Sequence, residues 1–424
     1  MVKFLFKGII RDRSRSLFPF LTVLVGVFCT VALYCYIRGG ETLIVRLNAN
    51  YQTGHLKVMT RAYAGEADQT PNDLAFIGVE ALGAELKRDF PNVIWTPRIR
   101  FGGLLDIPDD QGETLTQGPT AGIGVDLFSP STRELEILDL RKALVRGRMP
   151  EKPGEILISD EFAQKLKIEP GHVATLISST MHGSMSMANF IVAGTVRFGV
   201  SAMDRAAMIA DLADIQDALD MKDAAGEILG FFDDFIYSRE KADQTAAVFN
   251  ARYRNAEDDY APLMVTLRDQ GGLDSLLSMF SYASGILIAI FLLAMSLVLW
   301  NAGLIGNLRR YGEIGVRLAM GEEKGHVYRS MLIESLVIAF FGSMAGTAIG
   351  LALSYYLQAT GINIASLVKN TAIMMPTVLR SRVTLSSYVI GFIPGFFATF
   401  LGTAISGIGI YKRQTSQLFK ELET

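Results

Sequence analysis

Leu17-Phe-Pro-Phe-Leu-Thr-Val-Leu-Val-Gly-Val-Phe-Cys-Thr-Val-Ala-Leu-Tyr-Cys-Tyr-Ile37 carries no charged residue, and a membrane-spanning helix needs about 20 mostly apolar residues. Lys3, Lys7, Arg11, Arg13 and Arg15 precede it against a single acid, Asp12. A secretory signal shares that basic prelude, but its apolar core is about 7–15 residues and ends at a small-residue cleavage site. This run is longer and closes on Tyr34-Cys-Tyr-Ile-Arg38, so it reads as an uncleaved anchor. Met279–Trp300, Met331–Leu357 and Tyr388–Tyr411 are further runs of the same kind. The expected fold is an α-helical membrane protein with four transmembrane helices.

Between the first two runs the chain changes character. Of its 424 residues 50% are hydrophobic and 20% charged, below the roughly 25% charged usual in soluble domains, and the apolar residues cluster near the two ends. Residues 38–278 are an ordinary polar mixture. Leu56–Met59, Val93–Arg100, Gly154–Ser159, Val173–Ile177 and Asn189–Val196 read as strands, and Asn72–Phe90, Asp160–Leu166, Leu212–Leu219 and Ala242–Tyr253 as helices. This predicts a large mixed α/β domain inserted between helices 1 and 2, with a β-rich insert at about 115–200.

Positive residues in short loops mark the cytoplasmic side. Arg309, Arg310, Arg317 and Lys324 lie between spans two and three, and Lys412, Arg413 and Lys420 follow span four, whereas Lys369, Arg380 and Arg382 in the other loop count against the assignment. The basic N-terminus and the even number of spans favour both ends inside. The expected layout is a cytoplasmic amphipathic segment at 1–16, spans at 17–37, 279–300, 331–357 and 388–411, and an external domain at 38–278. A cytoplasmic loop occupies 301–330, an external loop 358–387, and a cytoplasmic tail 412–424. Glu334 opens the third span, within reach of water.

Evidence for chemistry is thin. The net charge of −3, with no basic, aromatic-interleaved patch, does not suggest a nucleic-acid partner, and none is expected. Cys29 and Cys35 both fall in the first span, which leaves the external domain no disulfide framework, and no Cys/His metal spacing occurs. Gly122-Ile-Gly124 lacks the third glycine of a dinucleotide fingerprint, and no P-loop exists. His55, His172 and His182 read as surface or strand residues. Ser129, Ser159 and Ser201 lack a nucleophile-elbow context, and Asp109-Asp110 and Asp233-Asp234 read as solvated loop acids. Met181, Met185 and Met187 flank Gly183-Ser184 and are open to two readings, an adaptable apolar contact surface or part of the core. No catalytic residue and no metal site is expected.

Two patterns remain in the membrane part. Gly342, Gly346 and Gly350 repeat every fourth residue in span three, and Gly391 and Gly395 bracket Pro394 in span four. Such glycines let helices approach closely in lipid, although glycine is also simply common in membrane helices. Between spans two and three, Asn307-Leu-Arg-Arg-Tyr-Gly-Glu-Ile-Gly-Val-Arg-Leu-Ala-Met-Gly321 places Tyr311, Ile314 and Leu318 on one helical face. Arg310, Glu313 and Arg317 fall beside it, spaced for internal ion pairs. Gly321 ends the helix, and Glu322-Glu323 suit the start of the next. Pattern alone leaves a surface amphipathic helix and a mere topology anchor equally open.

The run Arg310-Tyr-Gly-Glu-Ile-Gly-Val-Arg-Leu-Ala-Met-Gly321, with Glu334 after it, resembles the signature of the MacB/FtsX-like ABC transporter permease family. Tyr51-Gln-Thr-Gly-His-Leu-Lys-Val58, Gly147-Arg148-Met-Pro, Gly154-Glu-Ile-Leu-Ile-Ser159 and Pro170-Gly171 resemble its lipoprotein-releasing (LolC/LolE) branch. His172 stands where many relatives have an acid. The resemblance implies a bacterial inner-membrane, multi-pass permease with a periplasmic domain and no enzyme activity of its own. A second permease copy or a related permease would pair with it in membrane lipid, and a cytoplasmic ABC ATPase dimer would dock beneath. Arg309, Arg310, Glu313, Ile314, Arg317, Leu318, Met320 and Gly321 would form the ATPase-coupling element. No cofactor is expected on this chain; ATP and Mg would sit on the partner. MacB carries a fused ATPase ahead of its first span, whereas this sequence begins almost at the membrane, so the ATPase is expected on another polypeptide. The implied role is release of a lipoprotein substrate or other amphiphile by mechanotransmission. The alternatives are efflux with a periplasmic adaptor and FtsX-like signalling to a cell-wall hydrolase.

Overall fold

The computed structural model describes residues 13–109, 111–254, 258–308, 311–364 and 378–412. The principal helices are α1 (Arg13–Asn48), α2 (Val79–Asp89), α3 (Asp160–Leu166), α4 (Leu212–Ala218), α5 (Arg239–Arg252), α6 (Leu273–Leu308), α7 (Tyr311–Ala319), α8 (Lys324–Thr360) and α9 (Phe392–Lys412). Two compact units emerge. One takes the chain up to Thr42, from Ser278 to Ile362 and from Leu379 onward; the other takes Leu43–Leu277. Among the described residues four helices, α1, α6, α8 and α9, are long and apolar enough to cross a membrane. A mixed α/β domain separates α1 from α6.

In the membrane unit, Val23, Val27, Val31, Tyr34 and Cys35 are a buried stripe along α1, packed with Leu299, Leu351 and Ala398. The spacing of three and four residues keeps the stripe on one face of the helix. Span two is different: 6% of its apolar window is buried, against 39% for each of the other three. Its apolar side chains therefore face lipid or another chain. The helix α8 begins at Lys324, ahead of the third apolar run, so Glu334 is helical and half-buried.

Two residues of the loop after α8 are tied to α1. The backbone N–H of Arg382 donates to the carbonyl of Cys35 at 2.9 Å, and its guanidinium donates to Thr42 Oγ1 at 3.0 Å. An ideal Cβ on Gly39 would lie 2.7 Å from Ser381 Cα, so no side chain fits there. Arg382, which counted against the charge rule, thus has a packing role.

The other unit is built on one ten-stranded sheet: β1 (Leu56–Thr60), β2 (Val93–Pro108), β3 (Thr114–Val125), β4 (Leu144–Gly147), β5 (Glu155–Ser159), β6 (Val173–Ser179), β7 (Met185–Val196), β8 (Ala207–Asp211), β9 (Glu227–Phe232) and β10 (Pro262–Thr266). The order is β10-β1-β9-β2-β3-β8-β5-β7-β4, with β6 paired to β2 and β7. The pairs β3–β8 and β5–β7 are parallel and the rest antiparallel. The strand-dense stretch at 115–200 is therefore no separate subdomain. Its strands complete the sheet begun by β1 and β2.

The predicted helix Asn72–Phe90 also breaks up, into a turn at Asn72–Leu74, a short strand at Phe76–Ile77 and α2. Gly78 sits at φ +85°, and the N–H groups of Gly78 and Val79 both bond to the carbonyl of Asp223. That distant acceptor outcompetes the helical one. Strand β2 continues to Pro108 because it pairs with β3 in a long hairpin. Asp109 closes the hairpin by accepting from the N–H groups of Gln111 and Glu113 at 2.9 Å each. Asp234 accepts in the same way from Ile236 at 2.9 Å. Both acids are turn formers.

His55 is not a surface residue. It is 4% exposed and lies against Phe231, Phe232 and Tyr237, with Nδ1 accepting from the Phe232 N–H at 3.1 Å. Burial pushes its pKa down to about 4 from 6.5. The neutral ring is thus the folded form, and its contribution is complete above pH 6.5. As pH falls the unfolded chain takes up the proton first, so stability is lost down to about pH 4 and then levels, by on the order of 3 kcal/mol. Urea unfolding at pH 7.5 and pH 4.5 is expected to show a smaller difference in H55Q than in the wild-type chain. Equal differences would contradict the assignment.

Candidate functional site

The segment between α6 and α8 folds as α7, ended by a defined cap. The N–H of Gly321 donates to Leu318 O and that of Glu322 to Arg317 O, both at 3.1 Å, with Gly321 at φ +92°. These are the two bonds of a Schellman turn, which favours glycine at the left-handed position. A Cβ at Gly321 would meet nothing within 4 Å, so its role is conformational. G321A is expected to cost about 1 kcal/mol of local stability, read as faster amide exchange across 315–322.

Among the described residues Arg317 pairs beyond the end of the helix, while the side chain of Glu313, the partner its spacing suggested, lies outside them. Arg317 Nε and Nη2 donate to the two carboxylate oxygens of Glu322 at 2.6 and 2.7 Å. This forked contact holds the Glu322 carboxyl below the ordinary range and staples the turn. His326 lies 3.6 Å from the same carboxylate. With Arg317 engaged, the side chains offered outward are apolar: Val316 is 44% and Met320 76% exposed, while Leu318 is half-buried. Arg309 and Arg310 lie outside the described residues, as do the side chains of Glu313 and Ile314.

The glycines converge on α1. Ideal Cβ atoms at Gly342, Gly346 and Gly350 would lie 3.0, 2.9 and 2.9 Å from the Cβ atoms of Val23, Val27 and Val31, respectively. A ridge of valines every fourth residue thus meets a groove of glycines at the same interval. Gly391 abuts the same Val31 and Gly395 the same Val27.

The residues screened for chemistry have structural roles. Ser159 caps α3, accepting from Phe162 N at 3.1 Å and donating to Asp204 O at 2.6 Å. His172 Nδ1 contacts Glu169 O at 2.8 Å in the Pro170-Gly171 turn. Met185 and Met187 are 76% and 66% exposed, while Met181 packs on the core. Among the described residues no group of three His, Cys, Asp or Glu is placed to hold a metal.

Composition and spacing gave no hint of the buried charge in the domain. Arg98 and Glu134 are both fully buried and joined by a fork of 2.9 and 2.8 Å. Thr96 donates to the same carboxylate at 2.5 Å, and Arg98 Nη1 donates to Asn50 O at 2.6 Å. Asn50 belongs to the turn Ala49–Thr53 that follows α1. Its amide donates in turn to Ile137 O at 2.7 Å.

Residues 285–415 match the model of the FtsX-like permease C-terminal family. MacB of Hyphomonas neptunium, a macrolide export ATP-binding/permease protein, is 34% identical over 86 residues, which is 20% of this chain and 13% of MacB. LolC of Xylella fastidiosa, a lipoprotein-releasing system transmembrane protein, is 24% identical over 259 residues, or 59% of this chain and 60% of LolC. The chain thus spans less than two thirds of either relative. The periplasmic region of MacB from Actinobacillus actinomycetemcomitans aligns with a TM-score of 0.34 at 11% identity, over 50% of this chain and 89% of that one. The matched residues take in α7, α8, α9 and most of α6, so the similarity to the FtsX-like permease C-terminal family covers the chain from the second span to the fourth.

Proposed function

We propose that the chain is the membrane subunit of an ABC transporter of the FtsX/MacB/LolC type, driven by an ATPase on a partner polypeptide. The observation that carries this reading is the capped helix α7. It sits between two spans inside the family match and presents Val316 and Met320 while its one described arginine is engaged internally. An exposed methionine at a rigid turn is an adaptable knob for an apolar groove. ATP and Mg belong to the partner, and Arg309, Arg310, Glu313 and Ile314 extend the same contact. The open surface of α6 receives a second permease copy or a related permease.

The substrate proposed is a lipoprotein or similar amphiphile, released at the outer face of the bacterial inner membrane. The LolC match favours it because it extends over 259 residues, well beyond the membrane part. Transmission through α1 and α6 suits a machine that moves its external domain, rather than one that opens a polar tunnel. Efflux with an adaptor is the second reading, favoured by the MacB match.

Charge exchange tests the role of Arg317. The single variant R317E is expected to lose permease-stimulated ATP hydrolysis, and R317E/E322R to regain most of it. Failure of the exchange to restore activity would place Arg317 in direct contact with the ATPase rather than in the staple.

A further inference from the structure

One face of the sheet in the extramembrane domain carries three cations, two of them buried. Lys57 is 3% exposed and donates to Glu227 Oε2 at 2.6 Å, its sole hydrogen-bond partner among the described residues. Arg98 is matched by Glu134. Arg100 follows two residues along β2, hence on the same face as Arg98, and is half-buried with no partner for its guanidinium among the described residues. Of these three cations, Arg100 is the one without a carboxylate partner among the described residues. Burial pushes the Lys57 ammonium below the ordinary lysine range, against the pull of Glu227, and nearby Arg100 pushes it further down.

Lys57 and Arg100 line a single cavity of about 270 Å³, closed on one side by Met59 and Val265. It lies between Gln52-Thr53, which follow α1, and Gln270-Gly271, which precede α6. Gln270 Nε2 joins the two segments by donating to Thr53 O at 3.3 Å. Glu66 and Asp68 also line the cavity, but both are exposed, so water screens them at the rim. Asp269 is exposed as well and keeps its charge at the rim, accepting from the Thr266 N–H at 3.3 Å and hydroxyl at 2.7 Å. The interior therefore offers N–H donors of Lys57 and Arg100 that no described residue fills, and the Arg100 guanidinium is the cation there without a carboxylate of its own.

We propose that this cavity is a phosphate-binding site, in which the Arg100 fork and the Lys57 ammonium grip one phosphate group from two sides. Guanidinium supplies paired donors in a plane and ammonium a point charge, a combination suited to a tetrahedral oxyanion. The cavity has room for a substituent beyond the phosphate, so a free phosphate and a phospholipid headgroup share the required chemistry. The site does not depend on the transporter reading, since every residue in it belongs to the extramembrane domain.

The test is thermal unfolding of the full chain in detergent, read at Trp95 in a W300F background. It is titrated with inorganic phosphate or with glycerophosphoethanolamine against sodium chloride of equal ionic strength. A saturable rise in midpoint is expected with at least one probe. R100Q, which removes an unpaired side chain and so leaves the fold intact, is expected to weaken the apparent affinity by about tenfold or more. R100K should fall between the two, and E66Q should bind at least as well as wild type. A rise with inorganic phosphate identifies a soluble ligand, and a rise with the glycerophosphodiester alone identifies a lipid headgroup. No saturable rise with either probe, or an equal rise in R100Q, would overturn the proposal.

Discussion

R98M is expected to destabilise the extramembrane domain by about 3–5 kcal/mol, the usual result of stripping one partner from a buried ion pair. Glu134 would keep its charge at 0% exposure with only the Thr96 hydroxyl left to bond it. The carbonyl of Asn50 would lose its donor as well. A domain's net stability is only about 5–15 kcal/mol, so poor expression at 37 °C is a further expected result. Replacing both partners tells a different story. R98M/E134L removes the stranded charge and should recover most of the loss, because apolar replacements of similar volume cost little. Trp95 is 5% exposed in the strand that carries Arg98 and reports urea unfolding directly once Trp300 is replaced by Phe. If R98M alone is as stable as wild type, the pair is not the anchor described here.

The second large effect lies in the membrane unit. A side chain at Gly346 would place its Cβ 2.6 Å from the carbonyl oxygen of Leu24 and 2.9 Å from Val27 Cβ. Neither neighbour can yield: one is helix backbone, the other a β-branched carbon on a buried stripe. The helices must separate, which costs about 1–3 kcal/mol for an added methyl and more for larger groups. G346V should therefore lower the midpoint of thermal aggregation in detergent sharply. G285V is the control, since a Cβ there meets nothing within 4 Å on the sparsely buried α6. Equal effects at the two positions would remove the case for a glycine–valine interface.

These two sites also show what a sequence can disclose. The spans were legible because hydrocarbon demands long uncharged runs, and the four-residue glycine interval because helix geometry turns it into a face. The cap at Gly321 was legible for a similar local reason. What escaped depends on partners distant in the chain. Asn72–Phe90 has helical periodicity, but the Asp223 carbonyl captures the N–H groups at Gly78 and Val79. The strands of 115–200 read as a subdomain because pairing of β3 with β8, 86 residues on, leaves no periodic trace. Arg98, Glu134, Lys57 and Glu227 look like ordinary polar positions, since alternation along a strand cannot say that both faces are covered. His55 is hidden for the same reason: its aromatic box is assembled from residues 231, 232 and 237.

The coupling proposed for α7 runs to a separate ATPase through Val316 and Met320. Affinity purification of the tagged chain from native membranes in mild detergent, with mass spectrometry of the eluate, tests it directly. The wild type is expected to bring down a P-loop ATPase in near-stoichiometric amount, and V316D/M320D to lose it while keeping the same midpoint of thermal unfolding. Recovery of the ATPase with the double variant, or its absence from the wild-type eluate when other membrane complexes survive, would contradict the account.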